Sequence, residues 1–157
     1  MTSPTKSTVV QAVYGIIYDR IKEDVTSVTL SDSSTVQIQT YTGAFPDSEI
    51  DTKSKYPICV IDSPSLLWTD FSLTKKQVEG AFTIDIYTTK AESADLFIDA
   101  IINSIETYRA TLKNTDKMDF VNLESTDKDH LMRSNSMKVH MRSATFSFKF
   151  RFTKTVA

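Results

Sequence analysis

The densest group of chemically capable side chains is "DKDH", Asp127 to His130, which places two carboxylates and an imidazole side by side in the chain. Such a group could ligate a divalent cation. Oxygen-rich cation loops, however, carry more ligands and a glycine that turns the chain, and this stretch has neither. It reads as part of a solvated loop. Cys59, between Ile58 and Val60, has no neighbouring histidine to lower its pKa and reads as a small core hydrophobe. Ser63 and Ser65 stand near Asp62, yet no G-x-S-x-G turn projects a serine nucleophile. Asp62 and Asp70 would serve hydrolysis only if they faced each other across a cleft, and they read instead as turn and strand-end residues. His140 falls on a predicted strand close to Arg142, as a surface or interface imidazole.

The stretch "TFSFKFRFTK", Thr145 to Lys154, alternates Phe146, Phe148, Phe150 and Phe152 with Ser147, Lys149, Arg151 and Thr153. Successive strand side chains point to opposite faces, so the rings share one side and the cations the other. A stacking platform for single-stranded nucleic acid needs rings and cations together, and the alternation separates them. The rings belong in a core, where burying each Phe is worth roughly 1.5–3 kcal/mol. The Lys149/Arg151 side is left for contacts outside that core.

Around these residues stands one compact domain, residues 1–157, long enough to bury a core without staples. A net charge of -2 argues against the strongly basic surface of a general nucleic-acid binder. Gly15, Gly43 and Gly80 lie too far apart for a dinucleotide fingerprint or a phosphate-cradling loop. The single cysteine excludes an intrachain disulfide and fits a reducing compartment. "VVQAVYGII" is too short and too interrupted to span a bilayer and lacks the form of a signal peptide.

The spacing of Val9, Val13, Ile16, Ile17 and Ile21 predicts a helix over about 4–25, with Ser3 and Pro4 starting it. A turn over Ser31 to Ser34 leads into a strand over Thr35 to Thr42. "GAFPDSEIDTKSKYP" predicts an exposed contact loop, and "YPICVID" and "SLLWTDFSLT" two strands joined at Ser63-Pro64. "VEGAFTIDIYTT" is a third strand, after which Thr89 to Glu92 fits a capping box opening a helix to about Leu112. "DFVNLES" predicts a short strand, "TDKDHLMRSNS" a polar loop, and "MKVHMRSATFSFKFRF" a final strand. In that strand the apolar phase changes from Val139 and Met141 to the even-numbered phenylalanines, which predicts a bulge over Arg142 to Ala144. The fold class is α+β: an antiparallel-rich sheet with two main amphipathic helices on one face.

The order of an N-terminal amphipathic helix, "KYPICVID", "VEGAFTIDIYTT" running directly into "AESADLFIDAIINSIETYRATL", and a closing "MRSATFSFKFRF" resembles the tail terminator, or tail completion, proteins of long-tailed bacteriophages. The resemblance covers most of the chain and lies in element order rather than in a catalytic signature. It implies a non-enzymatic virion protein without cofactor or metal. Six subunits would form a ring that caps the head-proximal end of the tail tube, stops tube growth and docks the head connector. The partners implied are further copies, the tail tube protein and a head-completion or connector protein. DNA would cross the channel without specific binding, no membrane would be involved, and assembly would take place in the host cytoplasm. Alternative readings are a head-completion or neck protein and a small cytoplasmic ligand-binding module. The residues expected at subunit or partner contacts are Phe45, Asp47, Glu49, Asp51 and Lys53 of the loop, together with Trp68, Arg142, Lys149 and Arg151.

Overall fold

The computed structural model describes residues 8–45, 53–70, 72–132 and 137–153. Helix α1 (Val9–Asp24) buries Val9, Val13, Ile16, Ile17 and Ile21, the stripe its periodicity marks. The expected start at Ser3 and Pro4 lies outside the described residues. Strands β1 (Ser27–Thr29) and β2 (Thr35–Gln37) form a hairpin across the anticipated turn, where Ser34 N donates to Asp32 Oδ1 at 2.9 Å. The expected strand over Thr35 to Thr42 is split. Its first part, β2, pairs with β1, whereas its second, β3 (Thr40–Thr42), pairs in parallel with β4 (Ile58–Ile61).

The main sheet has six strands. Strand β6 (Lys75–Thr88) lies at its centre between β8 (Lys138–Thr153) on one side and, on the other, β4 along one half and β5 (Ser65–Asp70) along the other half. From Ile61↔Ile84 to Ser65↔Ala81 the register slips by one residue, so β4 and β5 act as one interrupted strand with Asp62 to Pro64 as the irregularity. Strand β7 (Asp119–Met132) pairs with the far side of β8 and completes the path β3-β4-β6-β8-β7. Every pairing from β5 through β6 and β8 to β7 is antiparallel.

Helix α2 (Ala91–Thr107) follows β6 and buries Ala94, Phe97, Ile98, Ile101 and Ile105. The helix expected to continue to Leu112 turns at Tyr108 into α3 (Arg109–Asn114), which buries Leu112. On the helix-facing side of the sheet, Cys59, Ile61, Val78, Phe82, Ile84, Ile86, Ala144, Phe146, Phe148 and Phe150 form one core with the α1 and α2 stripes. The side-chain position of Phe152 lies outside the described residues. A small second cluster, Tyr56, Ile58, Val60 and Val139 with Phe45, Tyr87 and Met137, covers part of the outer face. Among the described residues no helix is long and apolar enough to cross a membrane.

Three local expectations are corrected. The polar stretch "TDKDHLMRSNS" is not a loop as far as Met132, because Thr126 to Met132 continue β7 against β8. The final strand carries no bulge over Arg142 to Ala144: β8 runs against β6 from Lys75↔Thr153 to Thr88↔His140 without a slip. Its change of apolar phase arises because Val139 is buried in the outer cluster and Ala144 to Phe150 in the helix-side core. The bulges lie instead in β7, between Asp119 and Asn122 and between Leu123 and Ser125. The capping box is not formed either: Lys90 is the N-cap, without a side-chain cap, and the Glu92 carboxylate turns to Ser31, accepting from its N at 2.7 Å and its Oγ at 3.2 Å.

Candidate interaction surfaces

The fold disperses the groups with catalytic potential. Cys59 is fully buried, and burial, with a smaller push from Asp85, raises its thiol to about 12. Strand alternation sends Asp127 and Asp129 to one face of β7 and Lys128 and His130 to the other, so "DKDH" is not one ligand cluster. Among the described residues no group of three or more His, Cys, Asp and Glu is placed to hold a metal ion.

Asp70 stands opposite Lys76, not opposite Asp62. The acid coupled to Asp62 is Asp85, on the outer side of β6 between Val60 and Ser143. Burial, then the charge of Asp62, pushes the Asp85 carboxyl up to about 6, and burial also raises Asp62. The cross-strand pairing that creates this acidic pair is long-range, so the local sequence carried no sign of it.

His140 stands directly opposite His130 on β7, at a groove of about 370 Å3 beside the start of α2. Arg142 and Asp95 also line it, and Arg142 Nε donates to Asp95 Oδ1 at 2.6 Å, bridging β8 to α2. That places Arg142 on the helix side, away from Lys149 and Arg151.

On the outer side, Lys149 Nζ meets Glu79 Oε1 at 3.3 Å and Arg151 Nε donates to Gln77 Oε1 at 3.2 Å. Thr83 and Thr145 join hydroxyls at 3.1 Å along the same strand pair. The cationic face is therefore partly matched within the subunit by β6. Phe45 packs its ring against Tyr87 at 4.6 Å between centroids and helps close the outer cluster. Lys53 is exposed on a single 3-10 turn, Lys53–Lys55. Asp47, Glu49 and Asp51 lie outside the described residues.

Among the described residues, the β5 and β7 flanks of the sheet carry most of the exposed large apolar side chains. On the β5 side these are Leu67, 60% exposed, Trp68, 43%, and Leu73, 96%. On the β7 side they are Phe120, 57%, and Leu123, 37%. Of these, sequence reasoning singled out Trp68 alone. Phe120 sits within the first β7 bulge with φ 52, a left-handed conformation that is costly for a bulky residue. Its ring lies under Lys149 Nζ, 5.7 Å from the centroid. Beside it, Glu106, Arg109, Lys113, Met118 and Val121 line a cleft of about 460 Å3 between the helices and the start of β7.

Compared with known proteins, the chain matches no family model and no curated sequence at a significant level.

Proposed function

We propose that the chain is a structural subunit of the tail terminator kind, which closes into a ring on the end of a tail tube, halts tube growth and offers the next surface to the head connector. The observation that carries this reading is the sheet's construction: among the described residues the hydrogen-bonded path runs β3-β4-β6-β8-β7 and stays open, ending at β3 on one side and at β7 on the other. Open sheet borders favour uncontrolled pairing, and a closed ring of identical subunits removes them. The element order of helix, strands, helix and closing strands, with both main helices on one side of the sheet, supports the same reading. A net charge of -2 suits a conduit along which DNA slides without being held.

The test is direct. Purified chain is added to its tail tube protein during polymerisation, and the tubes are imaged by electron microscopy. The expected result is shorter tubes with a ring on one end. Tubes of unchanged length with bare ends would overturn the reading.

A further inference from the structure

We propose that His130 and His140 form a chelating pair for one transition-metal ion of the Zn2+, Ni2+ or Cu2+ class, held across the β7–β8 ladder beside the start of α2. The inference stands apart from the ring reading and goes beyond it.

The ladder supplies the geometry. His130 and His140 are direct partners on adjacent antiparallel strands. Both side chains fall on the helix side of the sheet: Arg142, in phase with His140, reaches Asp95 on α2, and Lys128, in phase with His130, is the partner of Arg142. Directly opposite residues hold their Cβ atoms about 4.5–5.5 Å apart. Two nitrogens bound to one tetrahedral ion at about 2.0–2.1 Å stand about 3.3 Å from each other. The rings therefore need to lean together by only about 1–2 Å. No motif along the chain joins the two residues, which is why "DKDH", read as a local cluster, did not reveal the pair.

Both imidazoles have room and are uncommitted. They line the same groove of about 370 Å3, into which α2 sends Asp95 and the small side chains of Ala91 and Ala94. Among the described residues neither ring makes a hydrogen bond or an ion pair; His130 is bonded only through its backbone N, which donates to Asp129 Oδ1. Thr88, opposite His140 on β6, donates its hydroxyl to Lys90 O at 2.5 Å instead. His130 is exposed and His140 half-buried, so an ion arrives from solvent while one ligand is held by packing. A water's share of liquid volume is about 30 Å3, so the groove has space for the ion and the waters that complete its shell.

The surrounding charges favour a metal over an anion. An anion would need free cations, yet the Arg142 charge is already matched by Asp95 at 2.6 Å. Lys128 stands one same-face step away along β7, about 7 Å, and its exposed side chain can extend into water. Imidazole nitrogen suits Zn2+, Ni2+ and Cu2+, whereas Mg2+ and Ca2+ prefer oxygen. Beyond Ser125 the ladder to β8 is what holds β7, so a bound ion would pin its far end.

Calorimetric titration of the tag-free protein with Zn2+ and Ni2+ at neutral pH tests the site. The expected result is one ion per subunit, undisturbed by excess Mg2+. His130→Ala and His140→Ala should each weaken binding about tenfold or more, while Lys128→Gln should leave it as tight or tighter. Paramagnetic resonance of the Cu2+ complex should show two imidazole nitrogens in the parent and one in each histidine variant, a count that a merely structural effect of the substitutions would not change. No binding of any of the three ions, or binding that survives both substitutions, would overturn the proposal. One ion per two subunits would place histidines of different copies on it and overturn the chelate within one sheet. Binding of inorganic phosphate without metal, lost in Lys128→Gln, would make the groove an anion site and overturn it as well.

Discussion

Gly80 lies directly opposite Phe148 on the β6–β8 ladder, and the Phe148 ring occupies the space that a side chain at position 80 would need. A Cβ there would also stand 2.8 Å from Ser65 O and 2.9 Å from Leu66 Cδ2. The β5 backbone carries one of these atoms and so cannot yield as a flexible side chain would. Gly80→Ala should therefore destabilise the subunit by about 1–3 kcal/mol, the usual range for overpacking. Thermal and urea unfolding measure it; a parent-like midpoint would mean that the Phe148 ring moves aside freely.

The Phe and cation faces of β8 should separate by mutation. Phe148 is 1% exposed, and Phe148→Ala should cost about 3–5 kcal/mol, enough to unfold a marginal domain. The side chains of Lys149 and Glu79 are 43% and 41% exposed, so their pair contributes at most about 1 kcal/mol. Lys149→Glu with Arg151→Glu should leave the isolated subunit's melting temperature nearly unchanged and impair assembly. Normal capping of tubes by that double variant would remove the cationic face from the interface.

Stability should rise as pH falls from 7 toward 4. Burial holds the Asp85 carboxyl at about 6 in the folded state against its ordinary value of 3.8, so the folded state binds more protons across that window. The contribution is absent well below the ordinary carboxylate value and becomes an increasing penalty up to the folded value. After allowance for partial solvent screening, it is on the order of 1–2 kcal/mol. Asp62, raised in the same direction, adds to it. Asp85→Asn should flatten the slope of urea midpoints between pH 4 and 7 and raise the midpoint at pH 7. An unchanged slope would exclude Asp85 as its source.

Cys59 should be inert in the folded subunit. With its thiol raised to about 12 and no solvent exposure, it should react with an aromatic disulfide reagent at pH 8 only as fast as the protein opens. Stoichiometric labelling within seconds without denaturant would contradict its burial.

The Glu92–Ser31 bonds tie the start of α2 to the turn between β1 and β2 across 61 positions of chain. Glu92→Ala should loosen that turn at a global cost of about 1 kcal/mol, because the bonds are exposed. Hydrogen exchange at the Ser31 amide should accelerate while exchange in α2 beyond its first turn stays the same.

How far the sequence revealed the fold depended on whether a segment's own burial gave it a pattern. Phe82, Ile84 and Ile86 in β6, and Phe146, Phe148 and Phe150 in β8, alternate because one side meets the helices, and both strands were legible. Strand β7 was legible only as far as Ser125, because Thr126 to His130 are exposed on both sides and the ladder with β8 alone sets their conformation. Glu92 suggested a cap because the motif is local, whereas its partner, Ser31, is distant. The candidate interface was hidden for the same reason. Trp68 was singled out, but Phe120 stands out only through its positive φ inside a β7 bulge, and that property is not written in adjacent residues.

The place of β8 between β6 and β7 bears on how the chain matures during synthesis. It is the last of the described elements to leave the ribosome, yet it supplies the middle of the sheet. Until it emerges, Val78, Phe82 and Ile84 have no strand on one flank, and α2 cannot complete its packing against Phe146 and Phe148. Such late, long-range closure makes folding slow and leaves an adhesive nascent chain. The same Phe ribbon that stabilises the finished subunit thus makes its own emergence from the ribosome the moment of commitment.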